Sequence, residues 1–364
     1  MHCNSLSFFE LLRAGLWEKD VELWEYGTTD FAEIMQLAEE QSVVGLVTAG
    51  LERVVDVKVP QDWTFQFIGS TLQMEQRNKG MNAFIDKLIG ELRQHGVYAL
   101  IVKGQGIAQC YERPLWRACG DVDLLLSADN YSAAKEILIT LASSVEEEDK
   151  KRKHLGLVID GWVVELHGTL HTRQLPKVNK VVDEAQIAVF NEGKVRPWMI
   201  GRTQVFLPAP DEDVVFVFSH IIQHFFGGGI GLRQICDWCR LLWTYRAALD
   251  CELLEKRIKK MRMMTEWKAF AALAVNYLGI PVDAMPLYDS RFTGKGSKVL
   301  DYVLKYGNFG HNRDNSYRNS QSFIVRSIGS LLRYTKDTFN YIAIFPIDSL
   351  KVWCRMVARG LKGE

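Results

Sequence analysis

The strongest constraint on the fold of this 364-residue chain is a change in the spacing of its apolar residues. On both sides of residues 97–166, apolar residues recur every three or four positions, as in Val214, Phe218 and Ile221, and this spacing predicts amphipathic helices. Within residues 97–166 the chain instead has short apolar runs that are rich in β-branched residues, which predict buried strands. We therefore expect a small β-sheet unit within an otherwise helical chain.

The order of the predicted elements indicates an α+β fold with a small mixed sheet. Residues 97–102 and 122–126 are predicted strands that are each followed by a helix. Residues 155–160 and 162–166 are a predicted hairpin around the turn Asp160-Gly161. At roughly 100–200 residues per domain, the length indicates about two domains. We divide the chain into a helical N-terminal segment at 1–95, the sheet unit at 96–210 and a helical C-terminal domain at 211–364.

The composition argues against several classes of protein. The 44 basic and 44 acidic residues cancel, so the chain lacks the surplus of cations on which unspecific nucleic-acid binding rests. The seven cysteines are odd in number and scattered, which is typical of reduced thiols in a cytosolic protein. The N-terminal residues lack the pattern of a secretory signal, and the uncharged residues 214–232 contain histidines and a glycine triplet that favour a buried helix over a membrane span. We therefore expect a cytoplasmic protein that does not associate with membranes.

Three carboxylates on the predicted strands are the candidate chemical groups. Side chains alternate along a strand, so Asp121 and Asp123 share one face, as do Glu165 and His167. A glutamate in an apolar strand is costly to bury unless it is paired or ligates a metal. Carboxylates at adjacent strand ends suit Mg²⁺, and two such ions can stabilise the attacking and leaving oxygens of a phosphoryl transfer. A D-x-D pattern occurs about once by chance in a chain of this length, so the prediction depends on Glu165 and on the strand context.

The order of these residues resembles a known family. The chain carries, in sequence, Leu100-Ile101-Val102-Lys103-Gly104, Tyr111, Arg117, Gly120-Asp121-Val122-Asp123-Leu124-Leu125 and Glu165-Leu166-His167. This series resembles the uncharacterised bacterial nucleotidyltransferase family of the polymerase-β-like superfamily, most clearly over residues 97–170. Many members of that superfamily have a Gly-Ser pair that binds triphosphate oxygens. Here Lys103-Gly104 occupies that place, and Gln105 stands where the serine would be.

The resemblance implies Mg²⁺-dependent transfer of a nucleoside monophosphate from an NTP such as ATP to a hydroxyl or phosphate acceptor. Asp121 and Asp123 would ligate two Mg²⁺ ions, with Mn²⁺ as an alternative, and Glu165 would complete the second site and accept the proton of the attacking hydroxyl. The remaining implied nucleotide-binding residues are Lys103, Gly104, Arg117, His224 and Arg233. The acceptor, a small molecule or a macromolecule, is not implied.

Other patterns have simpler explanations or leave alternatives open. Arg233 and Asp237 are four apart on a predicted helix, where a structural ion pair is the usual outcome. His220 and His224 lie opposite the apolar stripe of their helix and face either solvent or a second surface. The basic segment from residue 319 onwards predicts peripheral helices, with a tRNA-facing surface as the alternative.

Three other functions stay open at this point. A nucleotide-sugar-dependent glycosyltransferase could use the D-x-D to hold a diphosphate, but it would not need the Lys103-Gly104 strand end or Glu165. A non-catalytic nucleotide-binding protein and a toxin-like enzyme that modifies tRNA ends would both retain the same fold.

Overall fold

The computed structural model describes residues 3–27, 29–173, 175–313 and 323–361 of the chain. Four helices precede the sheet: α1 (Cys3–Trp17), α2 (Phe31–Glu40), α3 (Val44–Leu51) and α4 (Gln61–Gln94). The sheet strands are β1 (Ala99–Val102), β2 (Asp121–Leu126), β3 (Ser144–Val145), β4 (His154–Ile159), β5 (Trp162–His167), β6 (Val195–Ile200) and β7 (Thr203–Pro208). Helices α5 (Gly104–Ala108), α6 (Ala128–Leu141) and α7 (Pro176–Asn191) connect them.

The remaining helices follow the sheet unit. They are α8 (Pro210–Gly227), α9 (Leu232–Tyr245), α10 (Cys251–Met261), α11 (Met264–Leu278), α12 (Thr293–Tyr306), α13 (Phe323–Ile342) and α14 (Pro346–Leu361). A short 3₁₀ turn, Asn308–Gly310, follows α12. Helix α8 ends at the glycine triplet, with Gly228 as its C-cap. Across the described ranges, no helix combines the length and the apolar character that a membrane span requires.

The strands form one mixed sheet in the order β3-β4-β5-β2-β1-β7-β6. Strand β2 pairs antiparallel with β1 and parallel with β5, while β4 and β5 are the predicted hairpin. The α+β fold with a small mixed sheet between helical segments is therefore confirmed. The domain boundaries stay a prediction, and one buried apolar cluster contains residues from all three segments, for example Phe8, Leu125 and Trp238.

Alternation along β2 determines which face of the sheet each side chain reaches. Val122, Leu124 and Leu126 are buried in the cluster that packs α4 and α6 against one face. Leu125 belongs instead to the cluster of α8 and α9 on the opposite face. Because Asp121 and Asp123 have the same parity as Leu125, the two aspartates project towards α8 and α9.

The hairpin β6–β7 and helix α7 were not predicted from the sequence. Strand β6 lies at the edge of the sheet and contains Pro197, which cannot donate a ladder hydrogen bond and is tolerated at an edge. The basic segment from residue 319 onwards contains two helices, α13 and α14, where helices were expected. Between α12 and α13, residues 307–313 contain the 3₁₀ turn, and residues 314–322 lie outside the described residues.

Candidate active site

The two strands β2 and β5 bring the predicted carboxylates to one place. Asp123 lies directly opposite Glu165 in their parallel register, and Asp121 lies two residues earlier on the same face. Neighbouring side chains in adjacent strands share a face of the sheet, so the three carboxylates project together. The candidate site is therefore assembled by strand pairing between residues that are about 40 positions apart in the sequence.

Lys103 follows β1 and has a backbone conformation that residues other than glycine rarely adopt. Its φ and ψ are 56° and −147°, in a region that costs of the order of 1–3 kcal/mol for an ordinary residue. This conformation directs the side chain across to β2, where Nζ donates a hydrogen bond of 2.6 Å to Asp123 Oδ1. The strain at Lys103 is thus coupled to the placement of a cation beside a buried carboxylate.

Two histidines connect the carboxylates. His167 Nε2 lies 2.7 Å from Asp123 Oδ1 and 3.3 Å from Glu165 Oε2, so a single nitrogen bridges the two strands. His154 Nε2 lies 3.2 Å from the same Glu165 oxygen. His154 is opposite His167 in the β4–β5 hairpin and was not predicted from the sequence. The antiparallel register set by the turn Asp160-Gly161 places position 154 opposite position 167, so the sequence contained the signal for this pair.

The charges at this site shift the pKa values in opposite directions. The negative charge of Asp123, with burial as the second cause, raises the pKa of Asp121 to about 6. Burial also disfavours ionisation of Glu165, but hydrogen bonds from His154 and His167 and the charge of Lys103 outweigh it and lower the pKa of Glu165. The same balance, with Lys103 and His167 as the compensating groups, lowers the pKa of Asp123.

A cleft of about 500 Å³ lies between this face of the sheet and helices α8 and α9. The cleft is lined by all eight residues that were expected to bind metal or nucleotide: Lys103, Gly104, Arg117, Asp121, Asp123, Glu165, His224 and Arg233. His220 also lines the cleft, so the polar face of α8 meets a second surface rather than open solvent. Burial and the neighbouring His224 keep the pKa of His220 well below its usual value, so this imidazole is neutral.

The cations of the cleft have different partners from those expected. Asp237 does not form an ion pair with Arg233, its neighbour on α9. Asp237 instead accepts hydrogen bonds from Arg117 Nε at 3.0 Å and from Arg117 Nη2 at 2.6 Å. The Tyr111 hydroxyl donates a third hydrogen bond to Asp237, of 2.8 Å. Arg117 is only 6% exposed. Arg233 Nη1 instead donates to the carbonyl oxygen of Ala118 at 2.9 Å. The expected ion pair between Arg233 and Asp237 was therefore wrong, because the loop before β2 brings Arg117 to the same carboxylate.

Gln105, which stands where a phosphate-binding serine was expected by resemblance, turns away from the cleft. It is buried, and its Nε2 donates to Asn78 Oδ1 at 2.8 Å. Lys103 is therefore the side chain of the β1–α5 connection that reaches the carboxylates.

The donor set suits a divalent cation. Ligand atoms of His154, Glu165 and His167 lie within 4.8 Å of one another. Asp123 and Asp121 add carboxylate oxygens on the same face, and oxygen donors are the ligands that Mg²⁺ and Mn²⁺ prefer. The residues present therefore fit a metal ion at this position.

The comparisons with known proteins agree with this geometry. Residues 27–279, more than half of the chain, match the model of a family described as an uncharacterised nucleotidyltransferase. The chain therefore belongs to this nucleotidyltransferase family, and membership supports a general role in nucleotidyl transfer with a nucleotide substrate. A search of curated proteins and a search of solved structures gave no match.

Proposed function

We propose that the protein is a Mg²⁺-dependent transferase that moves a nucleoside monophosphate from an NTP to a hydroxyl or phosphate acceptor and releases pyrophosphate. The observation that carries this proposal is the group of three carboxylates, Asp121, Asp123 and Glu165, which open from adjacent parallel strands onto one cleft. The fold and these positions are compatible with a polymerase-β-like core.

Asp121, Asp123 and Glu165 are the residues that would hold the metal ions. Bound Mg²⁺ would offset the negative charge of the triphosphate and of the leaving pyrophosphate. Two histidines hold two of these carboxylates in a fixed orientation. His167 orients Asp123 and Glu165 through one nitrogen, and His154 Nε2 contacts the same Oε2 oxygen of Glu165. Such neighbouring hydrogen bonds orient metal-binding side chains and limit their motion.

Lys103 and Arg233 would bind the substrate phosphates. Lys103 Nζ already lies beside Asp123, and it moves to an incoming phosphate oxygen by rotation of its flexible side chain. Arg233 is held at the cleft wall by one nitrogen, and its planar guanidinium carries further donors that suit phosphate oxygens. Arg117 donates from Nε and Nη2 to Asp237 and from Nη1 to the carbonyl oxygen of Ala118, so we assign it a positioning role beside the site.

Glu165 would accept the proton of the attacking hydroxyl. Its carboxylate is ionised at neutral pH, because His154, His167 and Lys103 stabilise the charge. The two histidines limit the rotation of the carboxylate, which favours transfer to one fixed oxygen. The acceptor class is defined only by this chemistry: a hydroxyl or phosphate oxygen that can lose a proton during attack.

Label transfer from each of the four α-³²P NTPs in the presence of Mg²⁺ tests the proposal. Pyrophosphate release is the second readout. Asp123→Asn should abolish both, whereas Asp283→Asn, at an exposed position in the 3₁₀ turn Val282–Ala284 after α11, should leave them unchanged. Equal activity in Asp123→Asn would contradict the assignment. Thermal stabilisation by nucleotide sugars, with no response to NTPs, would favour the glycosyltransferase alternative.

A further inference from the structure

The 3₁₀ turn Asn308–Gly310 holds an aromatic ring at the edge of the cleft in a strained backbone conformation. Phe309 has φ 52° and ψ 23°, in the left-handed region that bulky residues rarely occupy. Its ring lines the same cleft as the carboxylates, yet the residue is 52% exposed. An exposed apolar side chain is ordinary on its own. An exposed ring that a strained backbone holds at the wall of a polar cleft is unusual. Backbone strain of this kind concentrates at ligand sites.

The turn is held from both sides by specific contacts. Asn308 Nδ2 donates to Ser42 Oγ at 2.7 Å, and its Oδ1 accepts from Gln234 Nε2 at 2.8 Å. The glycine triplet that ends α8 allows the turn to approach closely. A Cβ atom on Gly229 would lie 2.7 Å from the backbone nitrogen of Gly310. Phe309 is therefore fixed between Asn308 and Gly310. The close contact with Gly310 explains why a glycine is needed at position 229.

The ring also lies beside residues that lead back to the carboxylates. His224 meets it edge-on, with ring centroids 5.0 Å apart and an interplanar angle of 71°. The Arg233 guanidinium carbon lies 5.8 Å from the ring centroid. Arg233 in turn donates to Ala118, three residues before Asp121 at the start of β2. One wall of the cleft thus runs from an aromatic surface, through a cation, to the carboxylates.

We infer that Phe309 is the stacking surface for the base of the bound nucleotide, with the phosphates directed along Arg233 towards the carboxylates. This inference rests on the proposed function for the class of substrate. Stacking on an aromatic ring tolerates every base, because each base has a π-face. Phe309 lies beyond the residues 27–279 that match the family, so base binding is contributed by the C-terminal part of this chain.

The dissociation constants of ATP and of inorganic tripolyphosphate, measured calorimetrically with Mg²⁺, test the inference. Tripolyphosphate has the three linked phosphates of ATP but no ribose and no base. Phe309→Ala should weaken ATP binding about fivefold or more, as a stacked base is worth about 1–3 kcal/mol and each tenfold is 1.4 kcal/mol. The affinity for tripolyphosphate should stay within about twofold, because no base is lost. Phe309→Trp, which retains a stacking surface, should keep the affinity for ATP.

Phe339 provides a matched control. It lies on α13, is 70% exposed, and is not among the described residues that line the cleft, so Phe339→Ala should change neither affinity. Unchanged ATP binding in Phe309→Ala, or an equal loss for ATP and tripolyphosphate, would overturn the inference. A wild-type chain that binds no ATP would overturn the inference, and one that binds none of the four NTPs would overturn the proposed function as well. If ATP binds but no nucleotidyl transfer occurs, the proposed function fails, and the Phe309→Ala affinities still decide the role of the ring.

Discussion

Arg117 and Asp237 form a buried ion pair with two hydrogen bonds, of 3.0 and 2.6 Å, between residues 120 positions apart in the sequence. The pair joins the loop before β2 to α9, and the Tyr111 hydroxyl adds a third hydrogen bond to the same carboxylate. The carbonyl oxygen of Arg117 accepts from Asn78 on α4. The position of the aspartates on β2 relative to the helical wall of the cleft therefore depends on this contact.

Replacement of Asp237 should destabilise the whole chain. Asp237→Ala leaves the Arg117 guanidinium buried without a counter-charge, which typically costs about 3–5 kcal/mol of unfolding free energy. Chemical denaturation measures the loss. Glu255 offers a comparison, because it forms an exposed i,i+4 pair with Lys259. Glu255→Gln should change the stability by about 0.5 kcal/mol or less. Similar small effects in both variants would show that the buried pair is not structurally important.

The buried Glu266 on α11 should make the stability depend on pH. Burial and then the negative charge of Asp348 on α14 raise its pKa from 4.5 to about 8. Between these two values the folded chain keeps a proton that the unfolded chain releases, so stability falls as the pH rises from about 4.5 to 8. Glu266→Gln imitates the protonated form and should remove this decline, by up to about 1.4 kcal/mol per pH unit. Denaturation at pH 5 and pH 8 is the measurement, and parallel pH curves for the two proteins would contradict the expectation.

The glycine triplet provides two substitutions with opposite expectations. A Cβ on Gly229 meets the backbone of Gly310, and its φ of +116° is unfavourable for other residues. Gly229→Ala should therefore reduce stability by about 1–3 kcal/mol and displace the turn that carries Phe309. A Cβ on Gly227 meets no atom within 4 Å, so Gly227→Ala should be close to neutral. Thermal unfolding and ATP affinity check both variants. A loss of ATP affinity in Gly227→Ala alone would contradict the role of the close contact.

Removal of the Lys103 charge should strengthen the binding of a free metal ion. The ammonium group donates a hydrogen bond to Asp123 Oδ1, so it competes with a divalent cation for this oxygen. Lys103→Met keeps most of the side-chain length and removes this competition, so we expect Mg²⁺ to bind about tenfold more tightly in the absence of nucleotide, which is 1.4 kcal/mol. Calorimetric titration with MgCl₂ is the measurement. Lys87→Met, which breaks an exposed pair with Asp160, should have no effect. Weaker Mg²⁺ binding in Lys103→Met would indicate that the lysine supports the metal rather than replacing it.

The sheet and its carboxylates could be predicted because strand geometry is local. A period of two along β2 and β5 determines that Asp121 and Asp123 share a face, as do Glu165 and His167. The turn Asp160-Gly161 sets the hairpin register, and it pairs His154 with His167 in the structure. The hairpin β6–β7 could not be predicted in the same way, because its edge strand is half-exposed, contains Pro197 and lacks a clear apolar pattern.

The wall opposite the sheet required the tertiary structure. The i,i+4 spacing of Arg233 and Asp237 suggested an ion pair, but α9 packs so that Arg117 reaches Asp237 and Arg233 turns to Ala118. The sequence does not distinguish Phe309, because a single aromatic residue in a polar segment forms no pattern. Its backbone strain and its contact with Arg233 exist only in the folded chain.

The sequence by itself determined the α+β class, the alternation of the strands and the three carboxylates, since each depends on backbone geometry over a few residues. The tertiary structure decided which cations accompany them, which residues form the cleft and where the aromatic ring lies. These features depend on contacts between residues that are often 100 or more positions apart, such as Arg117 with Asp237 and Arg233 with Ala118. Such contacts arise from the packing of α8, α9 and the turn after α12 against the sheet, which no local periodicity specifies.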